Sequence, residues 1–515
     1  MRTGKRFAQM LMALALLVAT ASPAMAAGKS LVVGLASDAL FMDPHMQNET
    51  ITNAITSHFY ESLTFQTPDG SIVPMLAESW EISPDQLTWT FHLRKDVKFS
   101  DGSPFTAEDV MFNLERIKTK TIRDRAVTIK SMEAVDAHTL KITTNAPDGV
   151  LPDNLAEVRL MSKAYTTKVG DEEVNLKPMG TGPYILKEWI KEDHITMEPN
   201  PLYWGKKPSI SNVRFRPITN AATRTAALLT GEVDIAEDIP VRDVERVKRT
   251  KGIDVLAVPG RRLIYMHIDA NREPTPAIAG DKNPMKDLRV RQAMSLGIDR
   301  ETIVRVTLNN SGYPTGQLLL EGKRGFVPGR GVPEYNPEKA QALLAEAGYP
   351  KGFTLTFDAP NGRYINDAQV AQAIASQWAK IGINVDLRLH PKSVFFDFVR
   401  PGDKSSLVMT GWAEEVDSGK MSNVLFYSRG KIAGKGNSNR GHYSNPEFDS
   451  LIDQADATAD IAKRGELLEK ASLAILDDVG VIPLYFNQDL YGKKANVDFT
   501  PRANKNIMAH EIDIK

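Results

Sequence analysis

Apolar positions along this chain recur at two periods, and the periods alternate. Leu31-Val32-Val33-Gly34-Leu35 is a continuous apolar run, the pattern of a buried strand. Leu87, Trp89, Phe91 and Leu93 alternate strictly with polar residues, which predicts a half-buried strand. Asp101-Gly102 reads as a turn. Thr106 then opens a helix, with Asp109 three positions on in a capping-box arrangement and Val110, Leu114 and Ile117 as the inner face. The later half repeats the alternation. Asn336-Pro337 supplies an N-cap and a proline at the first helical position. Ala340, Leu343, Leu344 and Ala347 follow at helical spacing, and Gly348 provides the stop. A strand from Thr354 to Phe357 precedes a helix that opens at Asp367, carries Val370, Ile374, Trp378 and Ile381, and closes at Gly382. Val385, Leu387 and Leu389 then alternate as a strand. Asn445-Pro446 caps a further helix with Phe448, Leu451, Ile452 and Ala455 inward. Short strands alternating with capped helices predict an α/β architecture.

The first residues follow another logic. Arg2, Lys5 and Arg6 precede an apolar stretch from Phe7 to about Ala19, and Ser22-Pro23 leads into Ala24-Met25-Ala26. Charge, a short apolar region and an A-x-A site are the order of a secretory signal, which predicts cleavage after Ala26. No later run is long and apolar enough to span a bilayer. The chain has no cysteine. That excludes disulfides, thiolate chemistry and a lipid-modified N-terminal cysteine, and it points to a free protein of a Gram-negative periplasm.

Charge narrows the partners. Removing the signal takes three basic residues and no acidic one, so 63 basic residues become 60 against 64 acidic, a net −4. Near-neutral, mixed charge argues against a nucleic-acid or membrane-surface partner. The length of 515 residues fits two to four domains. No repeat and no long linker separates them, so lobes must be joined by short crossings. Signatures of catalysis are missing: there is no G-x-S-x-G, H-E-x-x-H or Walker loop. Gly434-Lys435-Gly436 lacks the third glycine and the strand–helix context of a nucleotide loop. The nine histidines never pair at metal-ligand spacing. These absences favour binding over catalysis, with a secreted hydrolase as the remote alternative.

A family resemblance then becomes specific. Leu76-Ala77-Glu78-Ser79-Trp80 through Trp89-Thr90-Phe91-His92-Leu93-Arg94, and Val97-Lys98-Phe99-Ser100-Asp101-Gly102 through Asp109-Val110, resemble the signature of the extracellular solute-binding proteins of family 5. So do Gly180-Thr181-Gly182-Pro183-Tyr184, Tyr203-Trp204, Gly231-Glu232-Val233-Asp234, Arg289-Val290-Arg291-Gln292-Ala293 and Tyr443-Ser444-Asn445-Pro446. They occur in family order over nearly the whole chain. The resemblance implies an α/β, two-lobed periplasmic binding protein fold (class II-like) with an extra α/β subdomain in lobe I. Lobe I would comprise 27–60, 179–265 and 485–515, the subdomain 61–178 and lobe II 266–484. It also implies a monomer without a cofactor that works with the membrane subunits of an ABC importer. The solute would be a short peptide or, alternatively, an opine, an oligosaccharide, glutathione or chelated nickel.

The same resemblance places a site. Leu407-Val408-Met409-Thr410 reads as a buried strand leading into a glycine turn at Gly411 and the aromatic Trp412. Glu415 stands where dipeptide-binding relatives hold the aspartate that receives the peptide ammonium. Val416-Asp417 replaces the usual sequence after it, and Asp417 is a second candidate. Arg363, in Asn361-Gly362-Arg363-Tyr364, matches an arginine that takes the ligand carboxylate, for which a planar guanidinium is suited. Tyr364 beside it joins the candidates. Asp43 and His442 lie in segments, Leu40 to His45 and Asn437 to His442, that could face a cleft.

Overall fold

The computed structural model describes residues 28–46, 50–67, 71–276, 278, 281–399, 404–405, 407–413, 417–432, 435–502 and 504–515. The secretory signal therefore falls outside the described residues. Strand β1 (Lys29–Leu35) buries Leu31, Val33 and Leu35, as its apolar run predicts. The chain then leaves for a separate antiparallel sheet. Its strands are β2 (Ala77–Ile82), β3 (Thr88–Leu93), β4 (Ile129–Asp136) and β5 (Thr139–Thr144), in the order β2-β3-β5-β4. Helix α1 (Ala107–Ile117) carries the predicted capping box between Thr106 and Asp109. It buries Val110, Leu114 and Ile117 in one cluster with Trp89, Phe91 and Leu93. Period-two and period-3.6 apolar patterns thus meet in a single core, which makes this segment an α/β subdomain.

Strands β6 (Tyr184–Ile190), β7 (His194–Pro199) and β8 (Ile210–Pro217) bring the chain back beside β1. Helix α2 (Ala221–Thr230) ends at Gly231, whose left-handed conformation (φ 83°) stops it. It leads to β9 (Ile235–Glu237) and then to β10 (Ile253–Ile268), a strand of 16 residues. The second lobe follows: α3 (Pro337–Glu346), β11 (Phe353–Asn361), α4 (Asp367–Ala379), β12 (Ile383–Pro391), β13 (Leu407–Ala413), α5 (Pro446–Asp456) and α6 (Ile461–Asp477). Strand β14 (Val481–Lys494) runs back towards the first lobe. The caps are as the sequence predicts: Asn336 accepts from the Lys339 amide, Asn445 from those of Glu447 and Phe448, and Gly348 has φ 91°.

All of these strands outside the subdomain belong to one eleven-stranded sheet, ordered β12-β11-β13-β10-β14-β9-β1-β8-β7-β6, with a short strand at Gly312–Pro314 pairing with β14. The two lobes are its two ends, and β10 and β14 run through both. Ile253–Pro259 pairs with Lys494–Gln488 in the first lobe, and Leu263–His267 with Phe486–Val481 in the second. The register shifts between Pro259 and Leu263. Extra residues in one strand bend it and raise its twist, so the change of lobe sits on this irregularity. The first lobe is filled by Leu31, Val33, Phe215 and Tyr491. In the second, Met266, Phe357, Ile374 and Trp378 fill one face of the sheet, and Leu263, Tyr265, Phe448 and Ile475 the other.

Candidate functional site

A cleft of about 920 Å³ lies where the lobes meet. Its floor is the irregular crossing of β10 and β14. Gly260 sits there because an added Cβ would lie 2.5 Å from the Asn487 amide nitrogen. The Arg262 amide donates to Asn487 Oδ1 at 3.0 Å, and Asn487 Nδ2 donates to Asp489 Oδ1 at 3.0 Å. On the first-lobe side, Lys505 Nζ reaches Asp238 at 2.9 Å and Asp489 at 3.1 Å. Burial alone would pull the Lys505 ammonium down, but the two carboxylates more than reverse this and hold it above the ordinary lysine value. Burial pushes the Asp489 carboxyl up, against the pull of Lys505. Asn487, Asp489 and Lys505 therefore form a polar chain fixed to the crossing.

The second-lobe wall is the turn after β11. Asp367, 2% exposed at the start of α4, accepts from three amides of the preceding turn, Gly362 at 2.9 Å, Arg363 at 2.7 Å and Tyr364 at 2.9 Å, and from that of Ala368 at 2.9 Å. Gly362 has φ 80°, so the turn needs a residue without a side chain. One buried carboxylate thus holds the segment that presents Arg363 and Tyr364. The Tyr364 hydroxyl accepts from the Gly411 amide at 2.9 Å and itself donates to the Gly411 carbonyl at 3.4 Å. The Arg363 guanidinium lies 5.1 Å from the Tyr364 ring and 5.9 Å from the Phe396 ring. Arg262 lies 5.9 Å from the same tyrosine. These distances are in the range of cation–π attraction.

The sequence-derived candidates separate here. Arg363 and Tyr364 are brought together on the cleft wall. Gly411 supports them from behind, and its expected role is corrected: it is inside β13, not in a turn. It pairs with Ile264, and its missing side chain admits the Tyr364 ring, which an added Cβ would meet at 3.1 Å. Trp412 pairs with Leu263 and packs with the cluster on the opposite face of the sheet. Glu415 falls in 414–416, outside the described residues.

Asp417 is not a free cleft carboxylate. It is 2% exposed and bonded to Arg464 Nε at 2.8 Å, with Arg324 Nε at 3.6 Å. Burial opposes its charge, yet the two arginines leave it below the ordinary carboxylate value. Asp43 is likewise buried, paired with Arg116 at 2.5 Å. Arg116 also contacts His45 Nδ1 at 2.8 Å, and burial drives the His45 imidazole down to about 4. That group ties β1's outgoing loop to α1. His442 is partly buried, has φ 50°, accepts on its carbonyl from Asn271 Nδ2 and does not line this cleft. In each case a charged or aromatic residue looks the same in sequence whether it meets solute or protein. Conversely, Arg262, Asn487 and Lys505 were not singled out. The one usable signal is Gly260-Arg261-Arg262, two arginines after a glycine within a mostly apolar strand.

Among the described residues, no group of histidine and acidic side chains could hold a metal ion, and no helix is long and apolar enough to cross a membrane. The family model of the bacterial extracellular solute-binding proteins, family 5, matches residues 71–434. The chain belongs to that family. Its family 5 relatives include the dipeptide-binding protein of Escherichia coli K12, 29% identical over 448 residues that make up 80% of each chain. The glutathione-binding protein GsiB of the same strain is 29% identical over 487 residues, 92% of each. Among solved structures, HbpA2 from Haemophilus parasuis has a TM-score of 0.84 at 26% identity, covering 95% of this chain and 100% of its own. The unliganded open form of the periplasmic murein tripeptide-binding protein MppA has 0.82 at 24%, covering 95% and 98%. The PBP AgaA of A. tumefaciens R10, in complex with agropinic acid, has 0.69 at 28%, covering 94% and 99%. These likenesses establish the two-lobed family 5 fold that the sequence motifs imply.

Proposed function

We propose that this family 5 protein is the exported solute-binding component of an ABC importer and captures a short peptide between its lobes. The observation that carries the reading is Arg363. It stands on the wall of a large interlobe cleft, held by a buried carboxylate through its backbone, with its guanidinium free of any carboxylate of the described residues. A guanidinium so placed suits the carboxylate terminus of a peptide. Glu415, three residues beyond Trp412 on the segment after β13, is assigned the peptide ammonium on the family resemblance. Relatives that bind a dipeptide and glutathione, itself a tripeptide, support the class of solute.

Capture proceeds by closure without bond chemistry. The moving bodies are 27–60, 179–265 and 485–515 with the subdomain 61–178, against 266–484. The greater likeness to an open, unliganded relative than to a solute complex supports an open conformation here. Solute contacts made only in the closed state would shift the population towards it. The protein acts as a monomer in the periplasm, after removal of residues 1–26, and hands its solute to the importer's membrane subunits.

The test is a thermal-shift screen of the mature chain against dipeptides and tripeptides, with small-angle scattering on the hits. A peptide that binds only the native state raises the melting temperature by mass action, and closure lowers the radius of gyration. A library without a single shift, while opines or sugars do shift it, would overturn the peptide reading.

A further inference from the structure

Among the described residues of the cleft, acidic and basic side chains are unevenly matched: its lining carries Arg224, Arg242, Arg262, Arg363 and Lys505 against Asp238 and Asp489. Both acids are engaged by Lys505. Arg224 is committed to the backbone carbonyls of Ile218, Glu237 and Asp238, and Arg242 is exposed at the rim. Arg262 and Arg363 remain, neither with a carboxylate of the described residues at ion-pair distance.

These two guanidiniums share one aromatic ring. They lie 5.9 and 5.1 Å from the centroid of Tyr364, so they are at most 11.0 Å apart, the two distances laid end to end. Arg262 is partly buried, and burial draws it below the ordinary arginine value, with the Arg363 charge pushing the same way and Tyr364 and Asp489 pulling against them. Two like charges held close together and partly out of water are unfavourable until anions lie against them. One carboxylate satisfies one guanidinium fork. A neutral zwitterion therefore answers only half of this wall. Two or three extended residues span roughly 7–11 Å, so one short peptide is long enough to reach both arginines.

We propose that the cleft selects a short peptide carrying a second carboxylate, with Arg363 receiving one acidic group and Arg262 the other. The inference rests on the cleft being the solute site, and it names the class of solute that site takes.

Isothermal titration of the mature chain tests it with dialanine, alanyl-glutamate, glutathione and glutarate, against wild type, Arg262→Gln and Arg262→Lys. The expected result is an affinity ratio of acidic to neutral peptide of about tenfold or more in wild type. That ratio should collapse to about one in Arg262→Gln and be partly restored in Arg262→Lys, with unchanged melting temperatures of the free proteins. Equal binding of dialanine and the acidic peptides, or an equal loss of both in Arg262→Gln, would overturn the proposal and leave the peptide reading standing. Binding of glutarate, dependent on Arg262, with no peptide bound would uphold the two-carboxylate wall and sink the peptide reading. Absence of binding by every acidic probe would also overturn it.

Discussion

Glu61 shows how much a single buried group can set. It is 2% exposed and accepts from Thr181 Oγ1 at 2.7 Å, Trp204 Nε1 at 2.8 Å and Tyr203 Oη at 3.2 Å. Burial raises its carboxyl to about 7, although these three donors pull the other way. The native state thus holds a proton that the unfolded chain releases near 4.5. Stability should fall as pH rises from about 4.5 through about 7 and then level off, by on the order of 3 kcal/mol. Glu61→Gln keeps the shape of the protonated acid. The difference in unfolding free energy between wild type and this variant, followed by urea titration from about pH 5 to about pH 8, should swing towards the variant. A constant difference would show that Glu61 does not titrate there. At the solute wall, Arg363→Ala and Glu415→Ala should each weaken peptide binding by on the order of 2–5 kcal/mol, since each leaves a ligand charge unpaired. Calorimetry with the best peptide checks both, and unchanged affinity removes that residue from the site.

At the scale of elements, the decisive contact is between β13 and the turn after β11. An alanine Cβ at position 411 would lie 2.7 Å from Ile264 Cδ1 and 3.1 Å from the Tyr364 ring. Gly411→Ala should therefore destabilise by about 1–3 kcal/mol through overpacking, and it should lower peptide affinity because Tyr364 and Arg363 move together. Denaturant midpoints and calorimetry separate the two effects. Elements of this kind were legible where their code is local. The capping box at Thr106 and Asp109, the N-caps Asn336 and Asn445 and the stops Gly348 and Gly382 each need only a few neighbouring residues. The pairing of β10 with β14 has no such code, because its partners are more than 200 residues apart. The wall was legible in part for the same reason. Arg363 follows from the turn that carries it, whereas Arg262 reaches the cleft only through a register irregularity. Asp417 could not be told from a solute ligand, because Arg464, which claims it, lies 47 residues away.

Over the whole molecule, the same Asp417 belongs to a group of charges that joins the subdomain to the second lobe. Arg324 bonds Asp153 of the subdomain at 2.6 Å and approaches Asp417, which Arg464 holds. The Ala459 amide donates to Gln86 across the same boundary at 3.1 Å. Arg464→Ala would leave Asp417 buried with only the Gly419 amide and the longer Arg324 contact. It should cost about 3–5 kcal/mol, measured as a lowered urea midpoint, with the loss largely recovered by removing the Asp417 charge as well in Arg464→Ala/Asp417→Asn. The shared sheet has a further consequence, for the order in which the chain can be completed. Strand β14 lies between β9 and β10, yet it is not synthesised until residue 481. Until then β9 and β10 present unpaired edges, and the two halves of the sheet have no seam. Late-arriving, long-range pairing is slow and leaves edges open to association. A growing chain of this design therefore leaves the seam of its main sheet open until the strand that begins at Val481 has been made.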